Sequence, residues 1–107
     1  MKTYELFING EFVPNGQRDM IPVLNPATEE VISEVPKATE EDVEKAVDAA
    51  YEAQKQWAEI PPIKRAAYLM ELSDLVRKNL DLFARVNSEE VGKTMAQSEA
   101  EAGFLPD

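Results

Sequence analysis

The carboxylate pairs Glu89-Glu90 and Glu99-Glu101 could do acid–base work in this 107-residue sequence. Glycosidic cleavage, for example, needs two carboxyl groups facing each other across a cleft, one of them kept protonated by its surroundings. Carboxylate pairs are plentiful here, and nothing in the flanking sequence announces a cleft. Solvated helix faces account for both pairs. Gly92-Lys93 invites a phosphate-binding reading, but it follows a helical stretch. The C-terminal pole of a helix carries the wrong sign for an anion. A helix-ending glycine with a dipole-matched lysine is the better account. Trp57 falls at helical spacing and reads as a core or interface residue rather than a ligand platform.

Other chemistries are excluded by absence. The sequence has no cysteine and no histidine. Disulfides, thiolate nucleophiles and Cys-based zinc sites are ruled out. So are the commonest general base and the Ser-His-Asp triad. The four glycines, at positions 10, 16, 92 and 103, form neither a dinucleotide fingerprint nor a P-loop. The chain on its own therefore carries no catalytic residue and no cofactor cradle.

Composition sets the class. Apolar residues make up 44% and charged residues 30% of the chain, which fits a globular protein rather than a disordered one. A length of 107 residues supports one segment, 1–107, with a modest core and no second independent domain. The net charge of −10 repels phosphate backbones and anionic lipid, so neither nucleic acid nor membrane is an expected partner. No apolar run approaches the length needed to cross a bilayer and no leader pattern is present, so the expected location is cytoplasmic.

The elements that must position any site fall into two groups. Strand signals occupy roughly 4–35. Tyr4 to Val13 alternates around Asn9-Gly10, a strong hairpin-turn pair. Pro14-Asn15-Gly16 marks a further turn. Met20–Leu24 reads as a third strand, at a sheet edge because of Pro22. Val31–Val35 reads as a fourth, after the Asn25-Pro26 turn. Helical periods then run from about 40 to 104. Thr39 and Asp42 form a capping box ahead of a stripe of Val43, Ala46, Val47, Ala50, Ala53 and Trp57. Pro61-Pro62 ends that helix and starts the next, whose stripe is Ile63, Ala66, Leu69, Leu72, Leu75 and Val76. A third helix covers Leu80 to Val91, with Leu82, Phe83 and Val86 inward, and Gly92 closes it. A fourth begins near Thr94 with a weak face of Met95, Ala96, Ala100 and Ala102. Pro106 cannot sit inside a continuing helix. Either the helix kinks there or the sequence meets a boundary within a longer chain, and the boundary is the expectation.

Several short motifs occur in order. They are Phe7-Ile8-Asn9-Gly10-Glu11-Phe12-Val13, then Val23-Leu24-Asn25-Pro26-Ala27-Thr28-Glu29-Glu30-Val31-Ile32, then Glu41-Asp42-Val43 leading Ala46–Ala50. Trp57, Pro62, Arg65 and Leu69 follow, and Glu90-Val91-Gly92-Lys93 completes the series. In order and spacing this series resembles the N-terminal region of the aldehyde dehydrogenase superfamily, over residues 4 to 104. It looks closest to lactaldehyde- and glycolaldehyde-type members. Ala102 and Pro106 depart from the family pattern in the fourth helix.

The resemblance implies a mixed α/β fold. Short N-terminal antiparallel strands precede about four α-helices, as the N-terminal part of an NAD(P)-binding domain without its Rossmann core. It implies a longer parent that oxidises an aldehyde to a carboxylic acid with NAD or NADP, its catalytic Cys and general-base Glu lying downstream. This piece would be scaffold, its partners the rest of the chain and further copies in a homo-oligomer. Some members of the family hold a structural Na+ or K+. The matching positions here are the Val23 and Leu24 carbonyls and the Glu90 carboxylate, oxygen donors that suit a hard cation. An alternative is a non-enzymatic helical interaction module. It would bury Trp57, Leu69, Leu72 and Phe83 against a partner or a second copy.

Overall fold

Asn9 and Gly10 both adopt left-handed backbone, with φ of 53° and 78°, as a two-residue hairpin turn requires. This is the first feature of a computed structural model that describes residues 1–107. The chain divides into two compact units: Met1–Val23 with Val31–Ile60, and Leu24–Glu30 with Pro61–Asp107.

In the first unit the turn joins β2 (Leu6–Ile8) to β3 (Glu11–Val13), after a two-residue β1 (Lys2–Thr3). The hairpin register pairs Leu6 with Val13, Phe7 with Phe12 and Ile8 with Glu11. Side chains alternate across it. Phe7 and Phe12 share the exposed face with ring centroids 5.0 Å apart, while Leu6, Ile8 and Val13 are half-buried. A second sheet has the order β1-β5-β4, where β4 is Met20–Leu24 and β5 is Val31–Pro36. β4 lies at the edge, where Pro22 needs no ladder partner for its missing N–H. Lys37 N donates to Asp19 O at 2.8 Å and Asn25 N to Glu30 O at 2.9 Å, so β4 and β5 run antiparallel. β1 departs from the all-antiparallel expectation. It runs parallel to β5, pairing Lys2 with Ser33 and Thr3 with Glu34. Two residues carry no alternation for a sequence reading to find.

Helix α1 (Glu40–Glu59) starts at the expected capping box, with Asp42 N donating to Thr39 Oγ1 and Thr39 N to Asp42 Oδ2. Glu40, Glu41 and Asp42 complement the helix dipole. Pro61 and Pro62 follow its C-cap, Ile60, and end the helix. The α1 stripe exists as read, but Val43 and Val47 remain 56% and 60% exposed.

The second unit holds α2 (Pro62–Lys78), α3 (Leu80–Val91) and α4 (Met95–Phe104). Pro62 occupies the first turn of α2, where no intrahelical N–H is needed. The long side chains expected to point inward do not make this core. Leu69, Leu72 and Leu75 are more than half exposed, Leu82 and Phe83 are exposed, and Val86 alone of the α3 trio is half-buried. The buried residues of α3 and α4 are small instead: Ala84, Ser98 and Ala102. Small side chains let two backbones approach closely. An apolar stripe identifies a face able to be buried, and burial requires a partner to cover it.

α4 opens with a second capping box, between Thr94 and Gln97, and stops at Phe104 ahead of Pro106. The Pro106 carbonyl accepts from Ser73 Oγ at 2.6 Å, and Asp107 pairs with Arg77 at 3.1 Å. No helix is long and apolar enough to cross a membrane.

Candidate functional site

Gly92 ends α3 with φ +80°, its N–H bonded to Ser88 O at 2.9 Å. Ser88 Oγ donates to the Lys93 carbonyl at 2.7 Å, which fixes the corner leading into α4. A Cβ placed on Gly92 would lie 2.8 Å from Pro26 Cγ. The Asn25-Pro26 turn therefore packs directly on this corner. Asn25 Oδ1 shapes that turn by accepting from Ala27 N at 2.9 Å.

Beside the corner, α3 and α4 frame an open groove of about 330 Å³ lined by Phe83, Val86, Asn87, Glu90, Glu101, Ala102 and Leu105. It brings together one member of each carboxylate pair, Glu90 and Glu101. Glu89 and Glu99 stay exposed and line none of it. Glu101 is engaged by Lys93 Nζ and by Asn87 Nδ2, the latter at 3.1 Å. The Lys93 hydrogen bond, then that of Asn87, holds its carboxyl below the usual range. A general acid at neutral pH needs the opposite shift. Glu101 is therefore not the protonated member that such a pair needs. Lys93, read as a partner for the α3 dipole, spends its charge across the corner on α4.

Val23 and Leu24 are the last residues of β4, and Glu90 is exposed in the last turn of α3. No cluster of three or more acidic side chains able to hold a metal forms anywhere. Backbone carbonyl and carboxylate oxygens are hard donors, of the kind a monovalent cation takes.

The strongest electrostatic feature of the first unit was not read from the sequence. Asp42, buried beneath Thr39, accepts from Arg18 Nη1, from Arg18 Nη2 at 2.8 Å, and from Thr39 N and Oγ1, each at 2.8 Å. The Arg18 guanidinium, followed by the Thr39 backbone N–H, holds the Asp42 carboxyl well below the usual carboxylate range. Asp42 in turn raises the Arg18 pKa. A carboxylate held this acidic is a poor proton acceptor. Its role is to clamp the 14–19 loop to the start of α1. The only sequence signal was an aspartate where a capping box ordinarily has Glu or Gln.

No glycine cradle for a dinucleotide exists. Gly10 and Gly16 lie in turns, Gly92 is wedged at Pro26, and Gly103 is inside α4. The residues present do not fit a nicotinamide cofactor on their own. What the geometry does provide is capped helix starts, clamped corners and exposed helix faces.

Comparison with known proteins gives the family. The chain belongs to the aldehyde dehydrogenase family, whose family model matches residues 12–106. It is 38% identical to lactaldehyde dehydrogenase of Escherichia coli (strain K12) over 104 residues, covering 97% of this chain and 22% of that protein. The crystal structure of that enzyme superposes on 99% of this chain with a TM-score of 0.95. A probable methylmalonate-semialdehyde/malonate-semialdehyde dehydrogenase of Dictyostelium discoideum is 36% identical, covering 92% of this chain and 19% of its own length. A betaine aldehyde dehydrogenase point mutant from Staphylococcus aureus, solved in complex with NAD+, is 27% identical with a TM-score of 0.89, over 95% of this chain and 21% of that one. The chain spans about a fifth of the length of the relatives it matches.

Proposed function

We propose that this chain is a scaffold segment of an NAD(P)-dependent aldehyde dehydrogenase that oxidises an aldehyde to a carboxylic acid, and that no residue of the segment touches the reacting atoms. The observation that carries the proposal is the coverage: nearly the whole chain superposes on one fifth of an enzyme chain. The exposed α1 and α2 faces support it, because they are patterned for burial and remain uncovered here. The rest of the enzyme chain is then the segment's principal partner, within a cytoplasmic homo-oligomer. The nicotinamide, when bound by the complete enzyme, supplies the hydride acceptor. The residues of this chain hold backbone corners and helix starts in place. The comparisons favour no independent interaction module.

Purified chain mixed with NAD+ or NADP+ and an aldehyde such as lactaldehyde or glycolaldehyde should show no reduction of the nicotinamide. Turnover that co-purifies with the pure chain would contradict the proposal.

The same reading assigns the carbonyls of Val23 and Leu24 and the carboxylate of Glu90 to a Na+ or K+ site completed by donors from elsewhere in the enzyme. In a complete enzyme carrying this segment, Glu90→Gln should reduce the gain in thermal midpoint between choline and potassium salts. An unaltered gain would remove Glu90 from the ligand set.

A further inference from the structure

The chain contains two Asn-Gly pairs, Asn9-Gly10 and Asn15-Gly16, in different surroundings. Asn-Gly is the dipeptide most open to intramolecular attack, because glycine places no side chain beside the attacking nitrogen. Both glycines face open space, with no atom within 4 Å of where a Cβ would stand. The difference lies in the asparagines. Asn15 is half-buried, and its Nδ2 donates to Tyr4 O at 2.8 Å. Asn9 is exposed at the tip of the β2–β3 hairpin, and its side chain makes no hydrogen bond. The turn-closing ladder pair is Ile8 with Glu11, so the Gly10 N–H lies outside the ladder. Closing the ring takes rotation about the Asn9 Cα–C and Cα–Cβ bonds, which the turn restrains. A two-stranded ribbon of three residue pairs frays readily enough to permit this.

We propose that Asn9 is a spontaneous modification site, converting to aspartate and isoaspartate while Asn15 is protected. The Gly10 nitrogen attacks Asn9 Cγ. A C–N bond forms, the Cγ–Nδ2 bond breaks, and Nδ2 leaves as ammonia with the proton taken from the Gly10 amide. Water then opens the succinimide ring. Attack at Cγ gives aspartate, and attack at the former backbone carbonyl gives isoaspartate. Asp-Gly preserves the turn. Isoaspartate inserts a methylene into the backbone and breaks the Phe7–Phe12 and Ile8–Glu11 pairing.

The test is peptide mapping of the intact chain by mass spectrometry after ageing in mildly alkaline buffer, folded and in urea, with isoaspartyl methyltransferase as the isoaspartate probe. In the folded chain Asn9 should convert about tenfold faster than Asn15 or more, as expected if Asn15 must first release one hydrogen bond. In urea the two rates should converge, and Asn9→Gln should abolish conversion in the hairpin peptide. Asn15 keeping pace with Asn9 in the folded chain, Asn9 persisting intact there, or an equal rate gap in urea would each overturn the proposal.

Discussion

Replacing Gly92 by alanine should destabilise the chain by about 2 to 4 kcal/mol, read as a shift in the urea midpoint. Two effects add. Gly92 sits at φ +80°, a left-handed conformation that Cβ disfavours. The new methyl would also lie 2.8 Å from Pro26 Cγ, closer than carbon atoms tolerate. Gly10→Ala is the matched control, because Gly10 has the same hand of backbone, at φ +78°, and open space around it. It should show only the smaller, conformational part. Adding Pro26→Ala to Gly92→Ala should recover the contact part, as a coupling between touching residues. Equal losses for Gly92→Ala and Gly10→Ala would show that the Pro26 contact contributes nothing.

The second large effect is expected at Asp42. Asp42→Ala removes the acceptor of Thr39 N and strands the Arg18 guanidinium, so it should destabilise the chain more than cutting the exposed Lys45–Glu41 pair. Asp42→Asn separates charge from shape. The Asp42 carboxyl is depressed in the folded chain, with Arg18 the largest cause, and ordinary in the unfolded one. Such a group contributes stability that is fully present above the unfolded value, about pH 4, and is lost as pH falls below it toward the folded value. Glu101 adds a contribution of the same sign. Thermal midpoints of the Asp42→Asn chain should therefore fall less steeply below about pH 4 than those of the unmodified chain. Parallel profiles would remove the Arg18–Asp42 clamp from the acid response.

Local signals carried most of the fold. Asn9-Gly10, Thr39 with Asp42, Pro61-Pro62 and Gly92 each act within a few residues, and each stands where the sequence places it. What the sequence did not show is non-local. The parallel β1–β5 pairing joins residues far apart through strands too short for a pattern. The Arg18–Asp42 clamp spans 24 positions. Burial of Ala84, Ser98 and Ala102 escaped because small residues give little periodic signal beside Leu82 and Phe83, which the stripe favoured. The groove's carboxylates were visible as pairs, but the capture of Glu101 by Lys93 and Asn87 was not. That capture favours the anion, which is the wrong form for a general acid.

The most direct test of the scaffold assignment is a hybrid enzyme, in which this chain replaces the corresponding N-terminal fifth of Escherichia coli lactaldehyde dehydrogenase. The hybrid should fold and reduce NAD+ with lactaldehyde at a kcat close to that of the unaltered enzyme, because the proposal puts every reacting group in the retained part. A hybrid that is folded and binds NAD+, yet turns over no aldehyde, would show that this segment supplies more than scaffold.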